Sequence, residues 1–241
     1  MRHNWRGVQE WNKDGIILST TSNEASKLFD ASLNQFLGWF DDDSVGGLEN
    51  SMKKMKEADP NFVLGQCLAF GIEFMGTEHN INCDKFKQRI DCFTKLGETQ
   101  TLSYCEQQHV EAIKYFAKND FYSASKCYEK ILVECPQDIF ALKMAQDSYF
   151  FLGLLPELKD SVARVAPVWE AKNIPLKSYL NEITTKSYFY GMYAFGLEEN
   201  HFYRKAESEA RKGLQLNAND SWATHALAHV FEMEGRTSEG L

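Results

Sequence analysis

The sequence contains little proline, no low-complexity run and no long apolar stretch. Five prolines in 241 residues argue against long disordered segments, which are often rich in proline and poor in hydrophobic residues. No apolar run approaches the roughly 20 residues of a membrane-spanning helix. The polar N-terminal residues MRHNWRGVQEWNKDG lack the apolar core of a secretory signal. We therefore expect a cytoplasmic protein that has no membrane partner.

An excess of positive charge is also missing. Aspartate and glutamate number 34 against 26 lysines and arginines, which gives a formal net charge of −8. This balance disfavours nucleic acid as a partner, because binding to phosphates depends on positive charge. The charged residues are scattered along the chain, a pattern typical of solvated helix faces.

Motifs of common enzyme and metal sites are absent as well. There is no recognisable glycine-rich phosphate loop, serine nucleophile elbow or Cys/His dyad, so we expect no cofactor. No two cysteines form a CxxC pair. We expect reduced thiols that behave as small apolar side chains, rather than a disulfide or a zinc cluster. The cysteines are Cys67, Cys83, Cys92, Cys105, Cys127 and Cys135.

What the sequence does contain is a helix–turn–helix pattern over residues 105–138, CEQQHVEAIKYFAKNDFYSASKCYEKILVECPQD. Counted from Cys105, the eighth and twentieth positions are Ala112 and Ala124, and the eleventh is Tyr115. Small residues at these positions let two helices approach closely, and the aromatic residue fills the space toward the next pair. This spacing resembles the tetratricopeptide repeat, a helix pair of about 34 residues.

Weaker copies of the pattern follow at the same period. Tyr149 lies 34 residues after Tyr115, and Ala228 lies 34 residues after Ala194. We therefore predict an all-α fold, a right-handed superhelix of antiparallel helix pairs that is a tetratricopeptide-like α-solenoid.

The first helix should begin at Thr21, because Thr21 and Glu24 have the spacing of a capping box. The tryptophans before it should pack back on the first helices.

The predicted organisation has five parts. The parts are an N-terminal arm (1–20), divergent helical hairpins (21–104), tetratricopeptide-like repeats (105–166), an insertion or linker (167–186) and further tetratricopeptide-like repeats, the last one incomplete (187–241).

The last repeat lacks its second helix. A helical repeat buries its apolar face only against its neighbours, so an array needs a polar cap at each end. The final half-repeat instead carries the apolar residues Leu227, Val230, Phe231 and Met233. We expect either a fragment of a longer protein or a dimer that forms through this uncapped end.

Several stretches give a more specific resemblance. They are LSTTSNEASKLFDASLNQF (18–36), ADPNF (58–62), DSYFFLG (147–153), DSVARVAPVW (160–169) and NDSWATHALAHVFEM (219–233). In these stretches the chain resembles the N-terminal portion of the tetratricopeptide repeat protein 38 family. The resemblance implies an all-helical repeat fold and a chain that continues beyond residue 241. It implies no activity, cofactor or catalytic residue.

In tetratricopeptide arrays the first helix of each pair lines a concave groove. Transferring that geometry to this chain places a mixed apolar and polar set of side chains on the groove, in which Lys143 and Asp147 lie one helical turn apart and should form an ion pair. Our preferred function is a non-enzymatic scaffold that binds an unknown protein or peptide in this groove. The principal residues are His109, Lys143, Asp147, Tyr188, His225, His229 and Glu232.

The alternative is a metal-dependent or small-molecule-binding enzyme on the same superhelix. His225 and His229 share a helix face, and Glu232 follows three residues later, so the three could hold one metal ion. A zinc protease motif needs glutamate directly after the first histidine, and Ala226 occupies that position. The motif therefore does not predict a protease, and hydrogen bonding across the groove is the simpler role for the histidines.

Overall fold

The structure is a computed structural model that describes residues 5–76, 83–171 and 180–240, without the side chains of residues 180–184. Within these ranges the chain forms helices and no strand, which confirms the all-α prediction. The helices are α1 (Val8–Lys13), α2 (Asn23–Gly38), α3 (Gly47–Ala58), α4 (Val63–Met75), α5 (Asp84–Thr99), α6 (Tyr104–Phe116), α7 (Phe121–Glu134), α8 (Ile139–Leu152), α9 (Leu155–Ala171), α10 (Leu180–Glu199), α11 (Tyr203–Leu216) and α12 (Ser221–Met233).

Successive helices pack side by side in chain order. The most extensive contacts join α2 to α3, α6 to α7, α7 to α8 and α10 to α11. Where the turn between two of these helices is short, as between α6 and α7 or α7 and α8, the second helix runs antiparallel to the first. This arrangement is consistent with an α-solenoid. No helix in the described part of the chain combines the length and the apolar character that a membrane crossing requires.

Polar side chains fix where the helices begin. The capping box predicted at Thr21 is wrong, because the Oγ atom of Ser22 accepts the hydrogen bond from the Ala25 N–H at 3.1 Å. A complete capping box does occur at α6, where Ser103 and Glu106 each accept the backbone N–H of the other. Each of these bonds satisfies a backbone donor that the helix itself leaves free.

Helix α2 lies at the centre of the molecule. Twelve of its 16 residues are buried, whereas a helix on the surface of a globular protein buries one stripe. The ring of Phe29 contacts Trp11 at 5.3 Å, Phe62 at 5.5 Å and Phe140 of α8 at 6.4 Å between centroids. Segments that precede α2, follow it and lie far along the chain therefore meet on this one helix.

The C-terminal half of α2 continues across the later helices. Asn34 Oδ1 accepts a hydrogen bond from the Tyr188 hydroxyl of α10 at 3.0 Å, and the Gly38 carbonyl accepts one from Ser221 at the start of α12 at 2.8 Å. A Cβ atom at Gly38 would lie 2.6 Å from the Tyr188 hydroxyl oxygen and 2.6 Å from the Phe40 ring, so any larger residue would displace one of these side chains. Helix α2 thus contacts α8, α10 and α12 in chain order.

The segment before α2 holds the short helix α1. Trp11 of this helix packs on Phe29, as predicted, and the Arg6 guanidinium lies 3.5 Å from the centroid of the Trp11 ring system. Arg6 also donates to Asp30 Oδ1 at 2.6 Å. The arm is therefore fixed to α2 by both an aromatic contact and an ion pair. Residues 1–4 lie outside the described part.

Part of the linker predicted over 167–186 is helical. Residues 167–171 form the end of α9, which accommodates Pro167 inside the helix, and α10 begins at Leu180. Residues 172–179 lie outside the described residues, as does most of the polar loop predicted at 77–84. Within the described residues, the segment predicted as a linker is therefore helical at both ends.

If α2 is the centre of the core, shortening one of its buried side chains must destabilise the whole molecule. We expect Phe29→Ala to lower the free energy of unfolding by about 3–5 kcal/mol, because it removes a large buried ring and leaves a cavity. The matched control is Val133→Ala on α7, where the side chain is 77% exposed and the change should stay within about 0.5 kcal/mol. Urea denaturation measures both. A loss below about 1 kcal/mol for Phe29→Ala would contradict a central role.

Candidate functional site

His109 lies in the core and not on an open groove, so that prediction is wrong. Its side chain is 0% exposed. The ring stacks on Phe140 with centroids 4.8 Å apart and planes 6° apart, and Nε2 lies 3.0 Å from Asp138 Oδ2. Asp138 also caps α8 by accepting the Ala141 N–H. His109 therefore helps to hold α6 against the start of α8.

Lys143 and Asp147 form the predicted ion pair, but Lys143 is buried and the Asp147 side chain is only 15% exposed, so the pair does not line an open groove. The Lys143 side chain is 2% exposed, and its ammonium nitrogen lies 4.3 Å from the centroid of the Trp222 ring and 5.2 Å from that of Phe36. Burial lowers the pKa of Lys143 and raises the pKa of Asp147, while their attraction opposes both shifts. The pair is therefore enclosed between α8, α2 and α12.

Tyr188 is also a core residue, joined to Asn34 of α2 by its hydroxyl. Lys143 of α8 likewise contacts α2, at Phe36. The predicted groove positions of α8 and α10 therefore lie against α2. The side of the molecule that was expected to receive a peptide is thus occupied by the chain's own helix. The prediction of an accessible groove at these residues is wrong for this reason.

His225 and His229 lie on α12, at a series of aromatic rings that contact one another. Ring centroids are 5.5 Å apart for Phe150 and Phe195, 5.2 Å for Phe195 and Trp222, and 4.3 Å for Trp222 and Trp39. We call this set the aromatic surface; its members are Trp39, Phe150, Phe151, Phe195, Trp222 and His225. The ends of α2, α8 and α10 and one face of α12 contribute to it.

Three members of the aromatic surface are open to solvent, and one of them has a strained backbone. Trp39 is 57% exposed, Phe150 is 47% exposed and Phe151 is 59% exposed. Trp39 adopts φ 53° and ψ 47° while its N–H closes the end of α2 on the Gln35 carbonyl. A bulky residue in this left-handed region costs about 1–3 kcal/mol, and such strain is concentrated at functional sites.

His229 faces two carboxylates at the end of α10. Its ring nitrogen Nδ1 lies 3.5 Å from Glu198 Oε2, and one ligand atom each from Glu198, Glu199 and His229 fall within 4.8 Å of one another. Glu198 is only 6% exposed, and its Oε2 makes no hydrogen bond to the described part of the chain. Burial raises the pKa of Glu198, while the neighbouring His229 lowers it.

The metal set suggested by the sequence is therefore not the one the structure brings together. The rings of His225 and His229 do lie 4.3 Å apart on one face of α12. Glu232, however, is exposed and does not belong to the group of close ligand atoms found in the described residues. Burial lowers the pKa of His225, and His229 lowers it further. This keeps the His225 ring neutral near pH 7.

Sequence reasoning missed Trp39, Glu198 and Glu199. Trp39 directly follows a helix with an apolar face. An aromatic residue in such a position is normally interpreted as part of the core. Glu198 and Glu199 have no sequence spacing that links them to His229. The available signal was the pair Trp39–Phe40 directly after the glycine that ends α2.

The buried ion pair predicts a specific pattern in a double-mutant cycle. We expect Lys143→Met to lower the free energy of unfolding by about 3–5 kcal/mol, because the largely enclosed Asp147 carboxylate, 15% exposed, loses its counter-ion. The double variant Lys143→Met/Asp147→Leu should recover most of this loss. Lys114→Met, in a more exposed pair with Glu111, is the control and should change it by less than about 1 kcal/mol. Equal losses at Lys143 and Lys114 in urea denaturation would contradict the burial.

Comparison with protein families and with solved structures does not assign a role to this site. No model of a known protein family matches the chain, and no solved structure matches it. The resemblance to the tetratricopeptide repeat protein 38 family stays a prediction from the sequence stretches that carry it. The chemistry of the aromatic surface and of the neighbouring His229 cluster therefore rests on their own geometry.

Proposed function

We propose that this protein is a non-enzymatic scaffold that binds a peptide or a protein through the aromatic surface. The observation that carries the proposal is Trp39, an exposed indole held in a strained backbone conformation over Trp222 and beside His225. Tryptophan is prominent among the residues that supply most binding energy at protein interfaces. The exposed rings of Trp39 and Phe150 are connected through the buried rings of Trp222 and Phe195, and exposed apolar patches mark interaction sites.

The proposed binding place differs from the groove that the sequence favoured. Helix α2 occupies the positions around Lys143 and Tyr188, so a partner reaches the molecule where α2 ends. Phe150 and Phe151 extend the aromatic surface on the α8 side, with ring centroids 6.0 Å apart. In this proposal a short apolar segment of a partner contacts these rings and Trp39.

The charges beside the aromatic surface indicate the partner's chemistry. Glu198 and Glu199 lie at its edge, and the chain as a whole carries a formal net charge of −8. Because complementary charge guides association and selects partners, we infer a peptide with an aromatic or leucine anchor next to a lysine or arginine. The basic group would approach the carboxylates while the anchor contacts the rings.

We further infer that the helix pairs are tetratricopeptide-like and form a right-handed superhelix in the manner of the tetratricopeptide repeat protein 38 family. Support comes from the small residues at the predicted contact positions. Ala112 and Ala124 of one pair and Ala194 and Ala206 of a later pair are each 0% exposed. Side chains of this size are what close helix approach requires.

The test is a selection of random peptides against the wild-type protein. We expect enriched peptides that carry an apolar anchor beside a basic residue. Their affinity should fall at least tenfold for Trp39→Ala, because the exposed indole is lost as an anchor. Val133→Ala, an exposed apolar change on α7, is the control and should leave binding unchanged. Fluorescence anisotropy with labelled peptides measures each dissociation constant.

Two outcomes would contradict the proposal. The first is that no peptide is enriched, or that Trp39→Ala binds as tightly as the wild type. The second is that the aromatic surface is covered by a second copy, including a dimer through α12. Light scattering would then give twice the monomer mass for the wild type and a monomer for Trp39→Ala.

A specific observation also favours a second function, a metal site. The close ligand atoms of Glu198, Glu199 and His229, and the buried Glu198 oxygen without a hydrogen bond, match the mixed carboxylate and imidazole sets that bind zinc or iron. His225 is the adjacent neutral imidazole. A bound divalent metal ion would serve a metal-dependent or small-molecule-binding enzyme at the edge of the aromatic surface.

Titration calorimetry with zinc distinguishes the ligand set Glu198, Glu199 and His229 from the set His225, His229 and Glu232 that the sequence suggested. If the metal site exists, Glu198→Gln and His229→Ala should each weaken zinc binding at least tenfold, because each removes one ligand. Glu232→Gln should leave it unchanged. If zinc does not bind the wild-type protein, the second function is refuted, and if Glu232→Gln abolishes binding, the assigned ligands are wrong.

A further inference from the structure

Cys105 and Cys135 approach each other at one end of the α6–α7 pair. Cys105 is the second residue of α6, and Cys135 directly follows the last residue of α7. Because the two helices are antiparallel, the start of one lies beside the end of the other. The two sulfur atoms are 2.9 Å apart and both residues are free cysteines.

Both sulfurs can be reached from solution. Cys105 and Cys135 are partly exposed, unlike the buried Cys67 and Cys127. They line a cavity of about 490 Å³ together with Ile16, Tyr104, Glu106 and Asp138. A small disulfide reagent therefore has space to approach either sulfur, which thiol–disulfide exchange requires.

We propose that Cys105 and Cys135 are a redox-active pair that forms a reversible disulfide at the expense of a low-molecular-weight disulfide such as oxidised glutathione. Their separation requires only a small local movement to reach the bond length of about 2.05 Å. Cys83 and Cys92 are more exposed, so exposure alone does not select the pair. The selection comes from the contact between the two sulfurs.

The reaction balances in two exchange steps. Burial and the neighbouring Cys135 raise the pKa of Cys105, so we assign the first attack to Cys135: its thiolate attacks a sulfur of oxidised glutathione, forms a mixed disulfide and releases one glutathione thiolate. The thiolate of the second cysteine then attacks the protein sulfur of the mixed disulfide and releases the second glutathione thiolate. Two protein thiols are oxidised, one glutathione disulfide is reduced, and the two cysteine protons end on the two glutathione thiolates.

The bond would strengthen the molecule near the start of α2. It joins residues 30 positions apart, and such a cross-link reduces the conformational freedom of the unfolded chain. Glu106, next to Cys105, also accepts the backbone N–H of Ser19 at 2.6 Å in the segment that leads into α2. Oxidation would therefore stabilise the place where this segment is attached to α6.

The experiment uses the full chain, reduced and then equilibrated with glutathione mixtures of increasing oxidised fraction. Free thiols are alkylated, and peptide mass mapping identifies the linked cysteines. We expect a Cys105–Cys135 link and a melting temperature several degrees above that of the reduced protein. Cys105→Ser and Cys135→Ser should each abolish both effects, whereas the control Cys83→Ser/Cys92→Ser should retain them.

The mapping of the wild-type protein decides the proposal even if a variant fails to fold. Alkylation of both Cys105 and Cys135 at every glutathione ratio would overturn it. So would a link from either residue to Cys83 or Cys92, or mixed disulfides with glutathione that never resolve to the internal bond. None of these results depends on the aromatic surface or on a bound partner.

Discussion

The burial of helix α2 is the constraint on which the rest of the structure depends. Its apolar and polar side chains are enclosed together, so each polar group needs a partner inside the protein. Ser32 Oγ is 2.9 Å from Ser51 Oγ of α3, and Asn34 accepts from Tyr188 of α10. Asp30 pairs with Arg6 at 2.6 Å. These specific bonds fix the position of α2 more narrowly than apolar packing alone, because a shift would leave a buried polar group unpaired.

The same constraint links the core to the proposed binding surface. Where α2 ends, the chain turns through Trp39, whose ring rests on Trp222. Trp222 in turn covers the ammonium group of Lys143, paired with Asp147. A buried ion pair is costly if either partner is lost, so this arrangement ties the exposed indole to an ordered interior. The aromatic surface is therefore supported by the core, which reduces the ordering that binding would require.

The sequence allowed the helices and their pairing to be predicted, because those features depend on local spacing. Ala112 and Ala124 lie fully buried where the repeat period put them. The docking of α2 was not predictable in this way, since it joins residues far apart, such as Asn34 and Tyr188. A repeat pattern indicates which side chains face inward but not what fills the space in front of them. For that reason Lys143 and Tyr188, which contact Phe36 and Asn34 of α2, were wrongly placed on an open surface.

The central claim is that α2 is part of the cooperative core and leaves only its end available to a partner. Native-state hydrogen exchange of the backbone amides in residues 25–38 tests it most directly, because it measures the free energy of opening for each amide. We expect these amides to exchange only through global unfolding, with the same denaturant dependence as the core of α8. Exchange through a low-energy local opening of α2, with α8 still protected, would contradict it.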